Sequence, residues 1–167
     1  YVLGNHDYWV QDFITETLFD NTYFSDTEFI INGKNFFITH GDGYLSWDTG
    51  YRILRRFIRS RIFIWSYRWI HPRIGYAFAR WISKKGENYH HSEEYNKKIS
   101  DEMTIHANKQ FSKGSDYFIS GHYHQAIDLK LENGKLLILG DWLSFFSYAK
   151  FDGENLKLHF WKDNEKI

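Results

Sequence analysis

Residues 117–124, with the sequence YFISGHYH, join four residues of strong β-strand character to two histidines spaced two apart. Side chains two apart in an extended chain point to the same side, so His122 and His124 can reach one cation or two adjacent ones. Gly121, between the strand and the first histidine, lets the backbone turn tightly and approach a ligand. Alone, a His-x-His pair is weak evidence, but the same pattern recurs at two earlier strand ends.

Two further motifs place polar side chains directly behind a hydrophobic strand. Gly4-Asn5-His6-Asp7 follows the apolar residues 1–3, and His40-Gly41-Asp42 follows residues 36–39. An asparagine offers its carbonyl oxygen and a histidine its ring nitrogen, and such ligands suit Mn²⁺, Fe or Zn²⁺. Three such clusters in one short chain indicate a shared metal site more than three unrelated hydrogen-bonded loops.

The composition limits the classes of protein to which the chain can belong. The 167 residues suffice for one domain, and a net charge of zero gives no global field that favours a nucleic acid. Since the chain has no cysteine, disulfides and zinc–thiolate sites are excluded. Aromatic residues make up 20%, which is typical of an aromatic core, an apolar ligand surface or a membrane interface. No apolar run reaches about 18 residues, so we expect any membrane association to be peripheral.

Positive charge is concentrated in one segment. All eight arginines lie between positions 52 and 80, and no Asp or Glu occurs between positions 49 and 86. Apolar residues recur there at helical spacing, and Pro72 divides the segment, which predicts two or three basic amphipathic helices. A further helix is predicted from Ser92, as its N-cap, to Phe111.

The sequences on both sides of this segment predict β-hairpins. Asn32-Gly33, Asn133-Gly134 and Asp152-Gly153 each lie between runs of β-forming residues, which predicts three hairpins. The layout is therefore sheet, helical insertion, sheet, and the predicted class is α/β. We assign the core to residues 1–47 and 116–167, and a helical lid to residues 48–115.

In their order along the chain, the three motifs resemble the second half of the signature of calcineurin-like metallophosphoesterases. The resemblance implies a four-layer α/β/β/α sandwich, truncated at its N-terminus, with two divalent metal ions, of which Mn²⁺ is expected. It implies that Asn5, His40 and His122 bind one ion and that His124 binds the other. The superfamily's Asp-x-His and Gly-Asp motifs, which complete the ligand set, are not in this sequence and are expected upstream of Tyr1.

The same resemblance assigns catalytic roles beside the metals. His6 is implied to lie next to the phosphate, where it stabilises charge or protonates the leaving group, and Asp7 is implied to orient it. Several members have arginine at the position of His6.

The arginine-rich insertion resembles the lid of one family in particular, the UDP-2,3-diacylglucosamine pyrophosphatases of lipid A biosynthesis, and residues 139–153 resemble its Bacteroidetes-type members. This implies hydrolysis of UDP-2,3-diacylglucosamine to UMP and 2,3-diacylglucosamine 1-phosphate by metal-activated water. The implied location is cytoplasmic, on the anionic inner face of the bacterial inner membrane, with no nucleic acid and no obligate protein partner. The implied substrate contacts are Asn5, His6, Asp48 and His122, with Ser83, Lys84 and Lys85 as candidate lid contacts.

Two other functions stay open at this stage. A nuclease or other phosphodiesterase of the superfamily is one, because arginines with aromatic rings also bind single strands. A catalytically inactive scaffold that binds a partner is the other. The presence of Asn5, His6, His40, His122 and His124 together argues against the scaffold, which has no use for the full set.

Overall fold

The computed structural model describes residues 1–7, 9, 13–86 and 92–161, with backbone only at 13–14 and 82–86. Within them, five strands form one mixed sheet in the order β1-β2-β3-β5-β4. Its strands are β1 (Thr27–Ile31), β2 (Lys34–Thr39), β3 (Tyr117–Ser120), β4 (Ala126–Leu131) and β5 (Gly134–Leu139). The central strands β2, β3 and β5 run parallel, and the outer strands β1 and β4 are antiparallel to their neighbours. The carboxyl ends of the three parallel strands therefore lie side by side.

One face of this sheet is covered by helix α4 (Glu93–Phe111). The helix contributes one apolar side, and the strands contribute alternate residues, because neighbouring side chains in a strand point to opposite faces. The core residues that meet here are Phe37, Ile99, Met103, Ala107, Phe111, Phe118, Leu136 and Ile138. Helix α4 falls within the predicted insertion 48–115, yet its buried side is part of the sheet's own core.

The opposite face is covered by a second, two-stranded sheet of β6 (Ser147–Phe151) and β7 (Leu156–Phe160). The intervening strand residues point to this side, and they form a separate cluster of Phe36, Tyr117, Ile119, Leu137 and Leu156. The described residues thus form three layers, a helix, a mixed sheet and a small antiparallel sheet. The predicted α/β class is confirmed, and the three predicted hairpins are β1–β2, β4–β5 and β6–β7.

Three helices follow β2: α1 (Thr49–Ile58), α2 (Arg61–Tyr67) and α3 (Pro72–Gly86). Neither α1 nor α2 contains a buried residue. Large apolar side chains are exposed along the three helices and in the connection between α2 and α3, namely Ile53, Phe57, Ile62, Trp65, Trp69, Ile74, Tyr76, Phe78 and Trp81. Among the described residues, no helix combines the length and the apolar character needed to cross a membrane.

The start of α4 is fixed by the side chain predicted from the sequence. The Ser92 hydroxyl accepts a hydrogen bond from the Tyr95 amide at 3.2 Å and caps the helix. We expect Ser92→Ala to lower the free energy of unfolding by about 1 kcal/mol, because one amide of the first turn loses its partner. Chemical denaturation measures this, and Ser92→Asn, which retains a capping oxygen, is the matched control. An equal loss in both variants would contradict a capping role.

Candidate active site

The carboxyl ends of β2 and β3 bring two of the three motifs together. The Gly121 amide donates to the His40 carbonyl at 3.1 Å, which continues the pairing of the two strands beyond their ends. The ring centroids of His40 and His122 are 5.1 Å apart. Ligands of α/β sheets commonly bind outside the carboxyl ends of parallel strands, and this is such an edge.

The third motif reaches the same edge from the start of the chain. Asn5 Oδ1 lies 3.0 Å from His40 Nε2. The segment before it is held by a parallel bridge between Val2 and Tyr23, and the Leu3 amide donates to the Tyr23 carbonyl at 3.0 Å. Asn5, His40 and His122 therefore share one small region, although 117 positions separate the first from the last in the sequence.

Asp7 closes the turn that carries Asn5 and His6. Its Oδ2 accepts hydrogen bonds from the Tyr1 hydroxyl at 2.7 Å and the Gly4 amide at 3.2 Å. Burial, together with this carboxylate, raises the pKa of Tyr1 to about 12. The Asp7 carboxylate thus supports the turn, and its predicted role in orienting the His6 ring stays a prediction.

Gly4 allows the close approach of this turn to His40. A β-carbon at Gly4 would lie 2.8 Å from Cε1 of the His40 ring, a separation that forces the ring to move. We expect Gly4→Ala to lower the free energy of unfolding by about 1–3 kcal/mol, because the His40 ring has to move. Chemical denaturation measures this. Gly50→Ala is the control, since a β-carbon at Gly50 meets open space, and an equal loss in both variants would contradict the explanation.

Burial holds the two central imidazoles in their neutral form. It lowers the pKa of His40, and it lowers the pKa of His122 to about 4, with the neighbouring His40 adding to the shift. The neighbouring His6 acts on both pKa values in the same direction. A neutral imidazole is the form that binds a metal ion.

The structure corrects the expectation that His122 and His124 share a face as residues of one extended strand. Strand β3 ends at Ser120, and both histidines have positive φ values, 69° for His122 and 51° for His124. The cause is Tyr123, which is buried between them and donates from its hydroxyl to the Gly41 carbonyl at 2.6 Å. The backbone turns around this residue, so the two imidazoles leave a tight turn instead of a flat strand.

His124 lies beside a carboxylate that the sequence reasoning missed. Its Nδ1 is 3.3 Å from Asp141 Oδ2, and Asp141 follows the end of β5. Burial acts to raise the pKa of Asp141, but the amides of Ser144, Leu143 and Phe145 outweigh it and hold that pKa below its usual value. The signal was available, because Gly140-Asp141 repeats the pattern of a strand followed by glycine and a polar residue.

Asn5, His40 and His122 provide donor atoms of the types that divalent ions bind, but the number of donors is too small. One amide oxygen and two neutral imidazole nitrogens suit Mn²⁺, Fe or Zn²⁺. Across residues 1–7, 9, 13–86 and 92–161, no three His, Asp or Glu side chains lie together in a way that could hold a metal ion without other donors. The described residues thus bring together three donors of suitable chemistry, which are too few to hold a metal ion by themselves.

Salt bridges to a buried carboxylate hold helix α1 against this edge of the sheet. Asp42 is 3% exposed, and its Oδ2 lies 2.6 Å from Arg55 Nε and 3.5 Å from Arg59 Nη2. The Tyr51 ring centroid lies 5.9 Å from that of His122. The ion pairs of Asp42 with the two arginines were not predicted from the sequence, because the turn between β2 and α1 is what brings these side chains together.

Of the substrate contacts predicted within the insertion, the structure describes the side chain of Asp48. Asp48 is the N-cap of α1, where its Oδ1 accepts from the Tyr51 amide at 3.1 Å. The side chains of Ser83, Lys84 and Lys85 lie outside the described residues.

Three motifs in this order, meeting at one edge of an α/β sheet with asparagine and histidine donors, are the features of the calcineurin-like metallophosphoesterase superfamily. No family model matches the sequence. The chain is 33% identical over 179 residues to UDP-2,3-diacylglucosamine hydrolase of Porphyromonas gingivalis (strain ATCC BAA-308 / W83), a match that covers 97% of the chain and 68% of that protein. The chain belongs to the family of this hydrolase.

Proposed function

We propose that this protein hydrolyses the pyrophosphate of UDP-2,3-diacylglucosamine to UMP and 2,3-diacylglucosamine 1-phosphate. The substrate is that named for the relative in Porphyromonas gingivalis, whose similarity extends over 97% of the chain. The observation that carries the proposal is the meeting of Asn5, His40 and His122 at one sheet edge, with Asn5 Oδ1 3.0 Å from His40 Nε2. Neutral donors that converge in this way suit a site where phosphate charge is neutralised by metal ions.

Two divalent ions, Mn²⁺ in our proposal, would supply activation of water and neutralisation of the phosphate when bound. Asn5, His40 and His122 would hold one ion, and His124 would contribute to the other, with Asp141 fixing the orientation of its ring. Such carboxylate–histidine pairs commonly orient metal-binding imidazoles. The remaining ligands are those of the Asp-x-His and Gly-Asp motifs expected before Tyr1.

The chain's own side chains would bind and position the pyrophosphate. Asn5 and His122 would contact the phosphate under attack, and the exposed His6 would give a proton to the leaving group. Asp7 would act on His6 through the turn that it closes. We propose Asp48 as a contact to the glucosamine, beside its role as helix cap, and Ser83, Lys84 and Lys85 as contacts from α3.

Helices α1–α3 would form the lid over this edge and the contact to the membrane. Their exposed tryptophans and isoleucines, interleaved with arginines, suit the interface of an anionic bilayer, where rings lie at headgroup depth and arginines meet phosphates. We propose peripheral binding to the cytoplasmic face of the bacterial inner membrane. We also propose that the three described layers belong to the four-layer α/β/β/α sandwich of the superfamily.

The test is pyrophosphate hydrolysis by the full-length protein on UDP-2,3-diacylglucosamine and on UDP-glucose, each with Mn²⁺ and with a chelator. We expect Mn²⁺-dependent release of UMP, with kcat/KM at least about 10²-fold higher for the acylated substrate, because the acyl chains bury apolar area on the lid. Equal rates on both sugars would reject the lipid substrate while leaving the hydrolase. Activity that falls steeply with salt on single-stranded nucleic acid would favour a nuclease. Absence of Mn²⁺ binding and turnover would favour a scaffold.

A further inference from the structure

A cleft of about 460 Å³ opens beside His124, on the flank of the site formed by β4, the start of α4 and the loop after β5. Its lining includes Asn96, His124, Gln125 and Phe145. This volume lies in the usual range of about 300–1,000 Å³ for small-molecule sites. The proposed reaction at Asn5, His40 and His122 assigns no part of the substrate to it.

The two flanks of the site differ in chemistry. Helix α1 borders the site at His122, through the Tyr51 ring, and leads into the apolar, arginine-rich surface of α1–α3. The cleft borders the site at His124, and its lining includes two carboxamides, the phenyl ring of Phe145, the phenol of Tyr123 and the carboxylate of Asp141. A UDP-linked acylated sugar has the same asymmetry, with acyl chains at one end and a planar polar base at the other.

The two carboxamides are held in a fixed arrangement. Gln125 is 8% exposed and donates from Nε2 to Asn96 Oδ1 at 3.0 Å. Each carboxamide has a carbonyl with two acceptor sites and an NH₂ with two donors, so the pair retains capacity of both kinds beyond this bond. The imide edge of uracil presents an acceptor, a donor and an acceptor in a row, which such a pair can match.

Phe145 supplies the second element of base recognition. Its side chain lines the cleft and is 40% exposed. An accessible aromatic ring stacks on any nucleobase, and stacking tolerates a change of base. We therefore expect loss of the Phe145 ring to weaken the binding of any base. Loss of the Asn96 carboxamide should change the preference between bases.

We infer that this cleft binds the uracil of the nucleotide, with Phe145 stacking on the base and Asn96 determining specificity for uracil over cytosine. The inference rests on the proposed function, since it places the UMP portion of that substrate. It assigns the acylated sugar to the α1–α3 flank and the uridine to the His124 flank, with the pyrophosphate between them.

The test compares kcat/KM of the full-length protein on UDP-diacylglucosamine and CDP-diacylglucosamine for wild type, Asn96→Ala and Phe145→Ala. We expect wild type to prefer the uridine substrate by about tenfold, and Asn96→Ala to reduce this preference to about twofold or less. Phe145→Ala should raise KM for both substrates by about tenfold and leave the preference unchanged. Asn108→Ala, an exposed asparagine on the same helix, should behave as wild type. Hydrolysis of bis(p-nitrophenyl) phosphate, which has no base, should be unaffected by all three substitutions.

Retention of the uridine preference in Asn96→Ala would overturn the inference. Loss of bis(p-nitrophenyl) phosphate hydrolysis in the same variant would also overturn it, because it would show a structural role. If wild type does not hydrolyse the lipid substrate, the proposed function fails, and calorimetry with UMP and CMP still tests the cleft. Tighter binding of UMP than CMP, lost in Asn96→Ala, supports it, and equal affinities overturn it.

Discussion

His122→Ala is expected to lower kcat/KM for UDP-2,3-diacylglucosamine by at least about 10²–10³-fold, the loss typical of removing one group that stabilises charge in the transition state. The imidazole is half-buried and lies between the rings of His40 and Tyr51, with ring centroids 5.1 Å and 5.9 Å away. Its removal takes away a neutral donor from the set of Asn5, His40 and His122. It also removes the side chain that we place against the phosphate under attack.

A second variant at position 122 separates the role of the imidazole from that of the left-handed backbone. Its φ is 69°, a left-handed conformation that asparagine adopts more readily than alanine does. If the imidazole is what matters, His122→Asn should lose most of the activity as well, while its free energy of unfolding stays closer to that of wild type. His159→Ala, on β7, is the control and should retain full activity. Wild-type kinetics in His122→Asn would contradict the role of the ring.

Gly41→Ala is expected to lower the free energy of unfolding by about 2–6 kcal/mol, as the sum of two costs. Its φ is 101°, where a side chain is strained by about 1–3 kcal/mol. A β-carbon there would also collide with Ser120 Oγ and lie 3.3 Å from the Gly121 carbonyl, and overpacking of this kind costs about 1–3 kcal/mol. Since the Gly41 carbonyl accepts from Tyr123, the turn that carries His122 and His124 should be disturbed as well.

Gly114→Ala separates the two costs. Gly114 has a φ of 106°, and a β-carbon there would meet no atom within 4 Å. This variant should therefore show only the backbone strain, about 1–3 kcal/mol, and should keep its activity. Urea denaturation of both variants gives the difference. Equal destabilisation would mean that the crowding between the ends of β2 and β3 contributes nothing.

The sequence predicted the elements whose signals are local. Asn-Gly and Asp-Gly turns between β-forming runs correspond to the observed hairpins, and Ser92 caps α4 as expected. Pro72 begins α3, so it separates the helices of the insertion. The meeting of His40 and His122 was also predictable, because their motifs follow the parallel strands β2 and β3, whose carboxyl ends share an edge. The motif with Asn5 follows only a single β-bridge at Val2.

Features that depend on long-range packing were not predictable. Tyr123 is an ordinary aromatic residue in the sequence, yet its hydroxyl bond to Gly41, 82 positions away, turns the backbone between His122 and His124. Gly140-Asp141 carries a strand-end signal in the sequence, but the contact of Asp141 with His124 follows only from the β3–β5 pairing. The position of α4 against the sheet follows from its buried side, which the sequence pattern did not distinguish from that of a lid helix.

Pulsed electron paramagnetic resonance shows whether Asn5, His40 and His122 bind the catalytic metal, as we propose. The sample is the full-length protein loaded with Mn²⁺ and labelled with ¹⁵N-histidine. We predict nitrogen couplings from directly bound imidazoles, with one coupling lost in His40→Ala and one in His122→Ala, and no change in His159→Ala. A spectrum of bound Mn²⁺ without histidine couplings, or one unchanged in both site variants, would contradict the claim.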